Sequence, residues 1–232
     1  MNKHCYSANI IMHEFERTFK YNNTEVLILS INYPIINIKY NPRAEQIINN
    51  QIAMNVNEYM KYSRHLYNQA VKGLKDSQAN NYPFHSYSAY MEYNITYNEN
   101  CHLSAYNDKY EFTGGAHGLT ARSSDSWELC TGKHLSLNDF FDPNANYRQF
   151  ITDEITRQAE YNNQQNSGIY FEDYESLIIK SFDQHNFYLT PQGITFYFQQ
   201  YDIAPYSTGI AEFIIPYNKI NWYPKCYKTM EP

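Results

Sequence analysis

The chain has 232 residues and a formal net charge of −6, with a pI near 5.7; 43% of its residues are hydrophobic and only 18% charged. That apolar content is enough to offset ordering entropy, so a folded chain is expected, and no stretch concentrates Lys and Arg, which argues against nucleic acid as a partner. The longest apolar runs, residues 26–31 and 35–38, fall far short of the about 20 residues a membrane helix needs, so no membrane insertion is expected.

A chain of this length holds one large core or two smaller ones, and two closely packed halves are expected. Residues 1–21 contain no basic segment followed by a long apolar run and a small-residue cleavage site. Either the protein stays inside the cell, as it does if Met1 is the true start, or a leader was removed. Cys5, Cys101, Cys130 and Cys226 form no CxxC pair, so zinc and thioredoxin-like chemistry have no support. The expectation is four buried or free thiols rather than two disulfides; if a disulfide forms, Cys101 with Cys130 is the first pairing to test.

Residues 7–21 and 24–38 are rich in Ile, Val, Phe and Tyr and are separated by Asn22-Asn23, which reads as two or three strands around a turn. Pro34 marks an edge or a bulge, because proline cannot donate to a strand ladder. Asn41-Pro42 then supplies a cap and a first-turn proline. Ile48, Ile52, Val56, Tyr59, Leu66, Ala70 and Leu74 recur at helical spacing beyond it. The spacing predicts one long amphipathic helix over residues 42–75, ending near Gly73. About 32 residues give a rod of roughly 48 Å, long enough to project beyond a sheet or to kink.

From residue 86 to 97 alternation is strict, with Tyr87, Ala89, Met91, Tyr93, Ile95 and Tyr97 on one side, as in a half-buried antiparallel strand. Asn98-Glu99-Asn100 turns it into a partner over 101–112, the glycine-rich segment 114–118 breaks the pattern, and a strand follows over 119–130; a meander is the simplest topology. A short helical entry is expected over 135–141, helices over 147–161 and 171–182, and strands over 187–189, 194–198 and 211–217 around the Pro191-Gln192-Gly193 turn. Strands, a long helix, strands, helices and strands again make an α+β protein: an antiparallel sheet with one long helix in the N-terminal half and two shorter ones in the C-terminal half.

Three of the eight glycines, Gly114, Gly115 and Gly118, lie in one five-residue segment with His117. As a geometric device the segment is a tight connection in which His117 bonds to backbone. As a functional one it is a ligand-contacting loop with His117 as donor, base or metal ligand. It is not a phosphate-binding loop, since GxxxxGK[ST] is missing. The eight histidines include no HExxH or HxH, and no metal or other cofactor is expected. Glu172 and Asp173 read as helix N-terminal charge rather than a glycosidase dyad, and no GxSxG elbow is present. The 25 tyrosines fit compositional bias, or else supply aromatic faces for sugars or protein partners.

The stretch Tyr201-Asp202-Ile203-Ala204-Pro205-Tyr206-Ser207-Thr208-Gly209, followed by Ile215-Pro216-Tyr217, resembles the paired PdaC/RsiV-type domains, as do residues 113–117 and 135–141. The likeness extends from about residue 28 to residue 217. It implies a PdaC-like N-terminal domain over 1–120 and an RsiV-like C-terminal domain over 121–232. It also implies a usually extracytoplasmic unit: the part of a membrane-bound anti-sigma factor that recognises lysozyme, or a region preceding a polysaccharide deacetylase domain. With no transmembrane segment, anti-sigma region or deacetylase domain in this sequence, signalling and deacetylation are not carried over.

The expectation is a non-catalytic recognition or sensor module for a lysozyme-like protein or a peptidoglycan fragment. Its candidate binding residues are Gly114, Gly115, His117 and Gly118 in the loop, and Tyr201, Asp202, Pro205 and Tyr206 in the turn. A packing role for the turn stays open: Pro205 fixes it, Tyr201 and Tyr206 pack, and Asp202 satisfies backbone N–H groups. Two alternatives also remain, a hydrolase pairing His117 with Asp202 within about 3 Å, and an intracellular interaction protein.

Overall fold

Asn22 and Asn23 both adopt positive φ, 47° and 63°, the conformation that reverses a chain between two strands without splaying them. The computed structural model describes residues 6–39, 41–142 and 144–226, and in it these asparagines join β1 (Asn9–Tyr21) to β2 (Thr24–Asn37) as an antiparallel hairpin. Pro34 sits opposite Met12 in the β1–β2 register, beyond the stretch of β2, residues 27–32, that pairs with its other neighbour, so on that side it is at an edge.

The Asn41 side chain then accepts a hydrogen bond from Ala44 N at 3.2 Å and starts α1 (Pro42–Asn80). The helix has 39 residues and does not end at Gly73: Asn81, at φ 56°, supplies the left-handed cap, with its N–H on Ser77 O. Gly73 is inside the helix, where a Cβ would touch the Tyr87 hydroxyl at 3.4 Å, so its smallness lets Tyr87 and Phe84 lie against α1. At roughly 58 Å the helix neither projects bare nor lacks cover. Its buried residues run from Ala44 to Ser77, because strands of 13 and 14 residues reach about 45 Å and a satellite cluster of Val26, Ala70 and Leu74 packs its far end.

After α1, β3 (Tyr87–Glu99) returns parallel to β2, pairing residues 27–32 with 87–92. The sheet is therefore mixed rather than wholly antiparallel, since α1 is long enough to serve as the crossover that parallel strands require. Asn100 and Cys101, both at positive φ, make the turn into β4 (His102–Phe112), slightly later than the Asn98-Glu99-Asn100 expectation, and β5 (Leu119–Glu128) completes the order β1-β2-β3-β4-β5. Ile48, Ile52, Val56, Tyr59 and Leu66 of the helix share one core with Leu27, Leu29, Ile31, Ala89, Met91 and Leu103 of the sheet.

The remaining chain forms α2 (Tyr147–Gln165), α3 (Tyr174–Ser181) and a three-stranded antiparallel sheet of β6 (Phe187–Leu189), β7 (Gly193–Phe198) and β8 (Ala211–Pro216). On α2, Ile151, Ile155 and Ala159 are buried and Phe150 is exposed. Every residue of β7 is buried. Ile194, Phe196 and Phe198 enter a second core with α2 and α3, while Tyr197 on the other side reaches Ser124 of β5. The two halves are thus packed through β7.

The cysteines correct the thiol expectation. Cys101 is bonded to Cys226, 125 residues away, and Cys130 is also in a disulfide, so the Cys101–Cys130 pairing does not form; Cys5 lies outside the described residues. Among the described residues no helix is long and apolar enough to cross a membrane.

Candidate functional site

The loop 113–118 joins β4 to β5, and two of its glycines have different geometric reasons. Gly114 takes φ +85°, in the left-handed region, while Gly118 is buried where any Cβ would collide with the Tyr110 ring. Tyr110 is itself stacked on Tyr90, centroids 5.8 Å apart. A Cβ on Gly115 would meet nothing within 4 Å. The loop is therefore a tight connection in which His117 bonds to backbone: its Nδ1 lies 3.0 Å from Gly118 O.

The turn 199–206 comes from the end of β7. Gln199 N donates to Asp202 Oδ2 at 2.8 Å and Asp202 N donates to Gln199 O at 3.1 Å, closing the turn on itself. Tyr201 adopts φ +69° within it and stays 47% exposed. Pro205, at φ −68° and ψ 163°, starts a short 3-10 turn over 206–208, and Thr208 Oγ1 ties that turn to Ile169 O at 2.6 Å. Ile203 and Ala204 are buried in the second core. Burial pushes the Asp202 carboxyl above its ordinary range, opposed by the Gln199 N–H bond.

Loop and turn meet. The ring of His117 stacks on that of Tyr206 with centroids 4.0 Å apart and planes inclined at 25°, and the Tyr201 ring lies 6.1 Å from that of Tyr206. All three rings are exposed or half-buried, so the two candidate segments form one aromatic surface. Asp202 and Pro205 shape the turn beneath it. No hydrogen bond or ion pair joins His117 to Asp202; His117 Nδ1 and Asp202 Oδ2 bond to neighbouring backbone instead.

What brings the segments together is a feature that spacing did not point to. β5 is an edge strand, and the Gln199 side chain pairs with it as a neighbouring strand would: Arg122 N donates to Oε1 at 2.9 Å and Nε2 donates to Arg122 O at 2.7 Å. Gln200 Oε1 accepts from Thr120 N at 2.7 Å. A second anchor is Arg122 itself. Its guanidinium is bidentate on Asp108 of β4 at 2.7 and 2.8 Å, bonds Glu212 of β8, and lies 3.7 Å over the Tyr106 ring. Burial acts to lower its pKa, but the hydrogen bonds and charge of Asp108, with Glu212, outweigh that, and the group is held charged. The only sequence trace of these anchors is a Gln-Gln pair ahead of Tyr201 and a lone Arg in a strand.

Two family models match the chain. One, described as "Deacetylase PdaC", matches residues 21–120, and one described as "Protein of unknown function (DUF3298)" matches residues 138–218. Nothing among curated proteins matches. Among solved structures, a DUF3298 family member from Bacteroides fragilis is 22% identical with a TM-score of 0.73, covering 94% of each chain. A DUF3298 family protein from Pseudomonas aeruginosa is 19% identical with a TM-score of 0.64, covering 93% of each chain. At these identities the likeness establishes the fold.

Proposed function

Because this chain belongs to the paired PdaC/DUF3298 family, a grouping of sequence and fold, we infer a role that rests on its own surface: a non-catalytic recognition module for a cell-wall-related protein, lysozyme-like in charge, or for a wall glycan. The observation that carries this reading is the His117–Tyr206–Tyr201 cluster. It is assembled from both halves of the chain, and rigid aromatic rings at a surface are the usual anchors of protein interfaces and stacking platforms for sugars. Asp202 and His117 support recognition over hydrolysis, since their hydrogen bonds shape the turn and the loop.

Two further properties fit. A net charge of −6 steers association with a strongly basic protein. The Cys101–Cys226 disulfide suits an oxidising, extracytoplasmic compartment better than a reducing one, which favours the wall-facing role over the intracellular alternative.

The test is biolayer interferometry against a lysozyme and against soluble peptidoglycan fragments, at low and at physiological ionic strength. Salt-tolerant binding that Tyr206→Ala or Tyr201→Ala abolishes, with circular dichroism unchanged, is expected. Binding confined to low salt, or to neither ligand, rejects the proposal.

A further inference from the structure

At the opposite end of the β4–β5 ladder, roughly 30 Å from the His117 loop by the rise of an antiparallel strand, lies a separate cleft of roughly 320 Å³ lined by His102, Glu128, Lys133, Leu135, Asp139 and Trp222. Its placement follows from register. His102 opens β4 and Glu128 closes β5, and the two are direct cross-strand partners, so their side chains share a sheet face. Trp222 comes from the C-terminal segment and meets His102 edge-on at 5.6 Å. The disulfide secures that wall, since Cys101 is the residue before His102 and Cys226 follows Trp222 by four positions.

The polar groups are unevenly distributed. Lys133 is ion-paired with Asp139, which cancels one positive and one negative charge and leaves the Glu128 carboxylate as the net charge of the cleft. One Glu128 oxygen accepts from the Thr131 hydroxyl, and a carboxylate has further lone pairs. His102 is 1% exposed, and its Nδ1 lies 2.7 Å from Asn100 O. That carbonyl fixes the proton on Nδ1 and leaves Nε2 a lone-pair acceptor with no partner among the described residues. Burial holds the imidazole below its ordinary range, in keeping with a neutral acceptor. A half-buried tryptophan, the best aromatic neighbour for a cation, completes the lining. The uncommitted acceptors, the second Glu128 oxygen and His102 Nε2, lie beside a net negative charge, which favours a ligand that donates and is positive, while the remaining donors, on Lys133 and the Trp222 indole, belong to a largely exposed side chain and to the aromatic wall.

We propose that this cleft binds a small organic cation, a protonated primary amine on a compact ring or short-chain body, with the ammonium on Glu128 and His102 Nε2 and the body against Leu135 and Trp222. The volume lies at the lower end of the range for small-molecule pockets. Three N–H donors of an ammonium match the acceptors available. The site is independent of the aromatic surface at the other end of the ladder.

Trp127 and Trp222 are the two tryptophans of the chain, so the two indole N–H signals in a proton–nitrogen NMR spectrum report on the cleft and on the buried core at once. The probes are cyclohexylamine and glucosamine, with cyclohexanol and glucose as controls lacking the amine, at near-neutral pH and physiological ionic strength. Both amines are expected to shift the Trp222 indole while Trp127 stays in place, and neither alcohol is expected to. Glu128→Gln, which can still accept from Thr131, should weaken amine binding about tenfold, the scale of one charge-assisted hydrogen bond. Lys133→Ala, a largely exposed side chain, should tighten it several-fold by freeing Asp139. Alcohols that shift Trp222 as the amines do, no shift with either amine, or wild-type affinity in both variants would overturn the assignment. Because the Tyr206 surface is untouched by these variants, loss of amine binding with wall-ligand binding retained separates this site from the proposed function.

Discussion

His117 and Tyr206 come from different halves of the chain and from different family models' ends of it, yet their rings lie face to face at 4.0 Å. Their contact joins the β4–β5 loop to the turn after β7. Stacked pairs contribute about 0.5–1.5 kcal/mol beyond the area they bury. A double-mutant cycle of His117→Ala and Tyr206→Ala, read by urea denaturation, should return a coupling in that range; additive single-mutant effects would mean that the rings do not hold loop and turn together.

Gly118 and Gly115 should differ sharply although they are three residues apart. Gly118→Ala forces the Tyr110 ring off its place beside Tyr90, with an overpacking cost of about 1–2 kcal/mol. Gly115→Ala enters open space and should stay within about 0.5 kcal/mol of wild type. The Gly118→Ala/Tyr110→Ala double variant should be no less stable than Tyr110→Ala alone, which thermal melts of the four proteins will show.

Removing Arg122 should be among the most costly single changes. Arg122→Met leaves Asp108 and Glu212 facing each other across the junction of the halves without their shared cation, and breaking a buried charge cluster in this way costs roughly 3 kcal/mol. Lys20→Ala breaks a pair in which both side chains are more than half exposed and should cost less than about 1 kcal/mol. Equal losses of denaturation midpoint in the two variants would refute the structural weight given to Arg122.

Asp202 gives stability a definite pH dependence. Folding raises its carboxyl pKa, mainly by burial, so the folded chain binds this proton more tightly than the unfolded one. The Asp202 contribution therefore declines as pH rises from the ordinary carboxylate value, about 4, to the raised folded value, and is level above it. Asp202→Asn retains an oxygen that accepts the Gln199 N–H. It should equal or exceed wild type at neutral pH and lack that decline, as denaturation midpoints across the range will test.

Local chemistry was readable from sequence where one segment carried its own instructions. The stripe Ile48, Ile52, Val56, Tyr59, Leu66 is buried as its spacing requires, Asn22-Asn23 turns the first hairpin, and Tyr201 to Tyr206 form a turn fixed by Pro205. Both candidate segments could be named this way, but not the fact that they touch. The parallel pairing of β2 with β3 was not legible, because alternation in Tyr87, Ala89 and Met91 records which face is buried and not which neighbour lies alongside. Gly73 looked like a helix end because glycine serves both as a stop and as a small packing surface. Cys101 with Cys226 left no spacing clue, and Arg122, Asp108 and Glu212 are ordinary strand polar residues until the fold superposes their strands.

β5 closes its sheet with an edge, and an open edge is a template on which a second chain can add itself. The side chains of Gln199 and Gln200 occupy that template, supplying amide oxygens and an amide nitrogen where another backbone would dock. A fragment ending near residue 130 would keep its own hydrophobic core but lose both glutamines, exposing the bare row at Thr120 and Arg122. The C-terminal half is thus a built-in guard against strand-by-strand self-association of the first, and sedimentation should show that fragment forming larger oligomers than the full chain does.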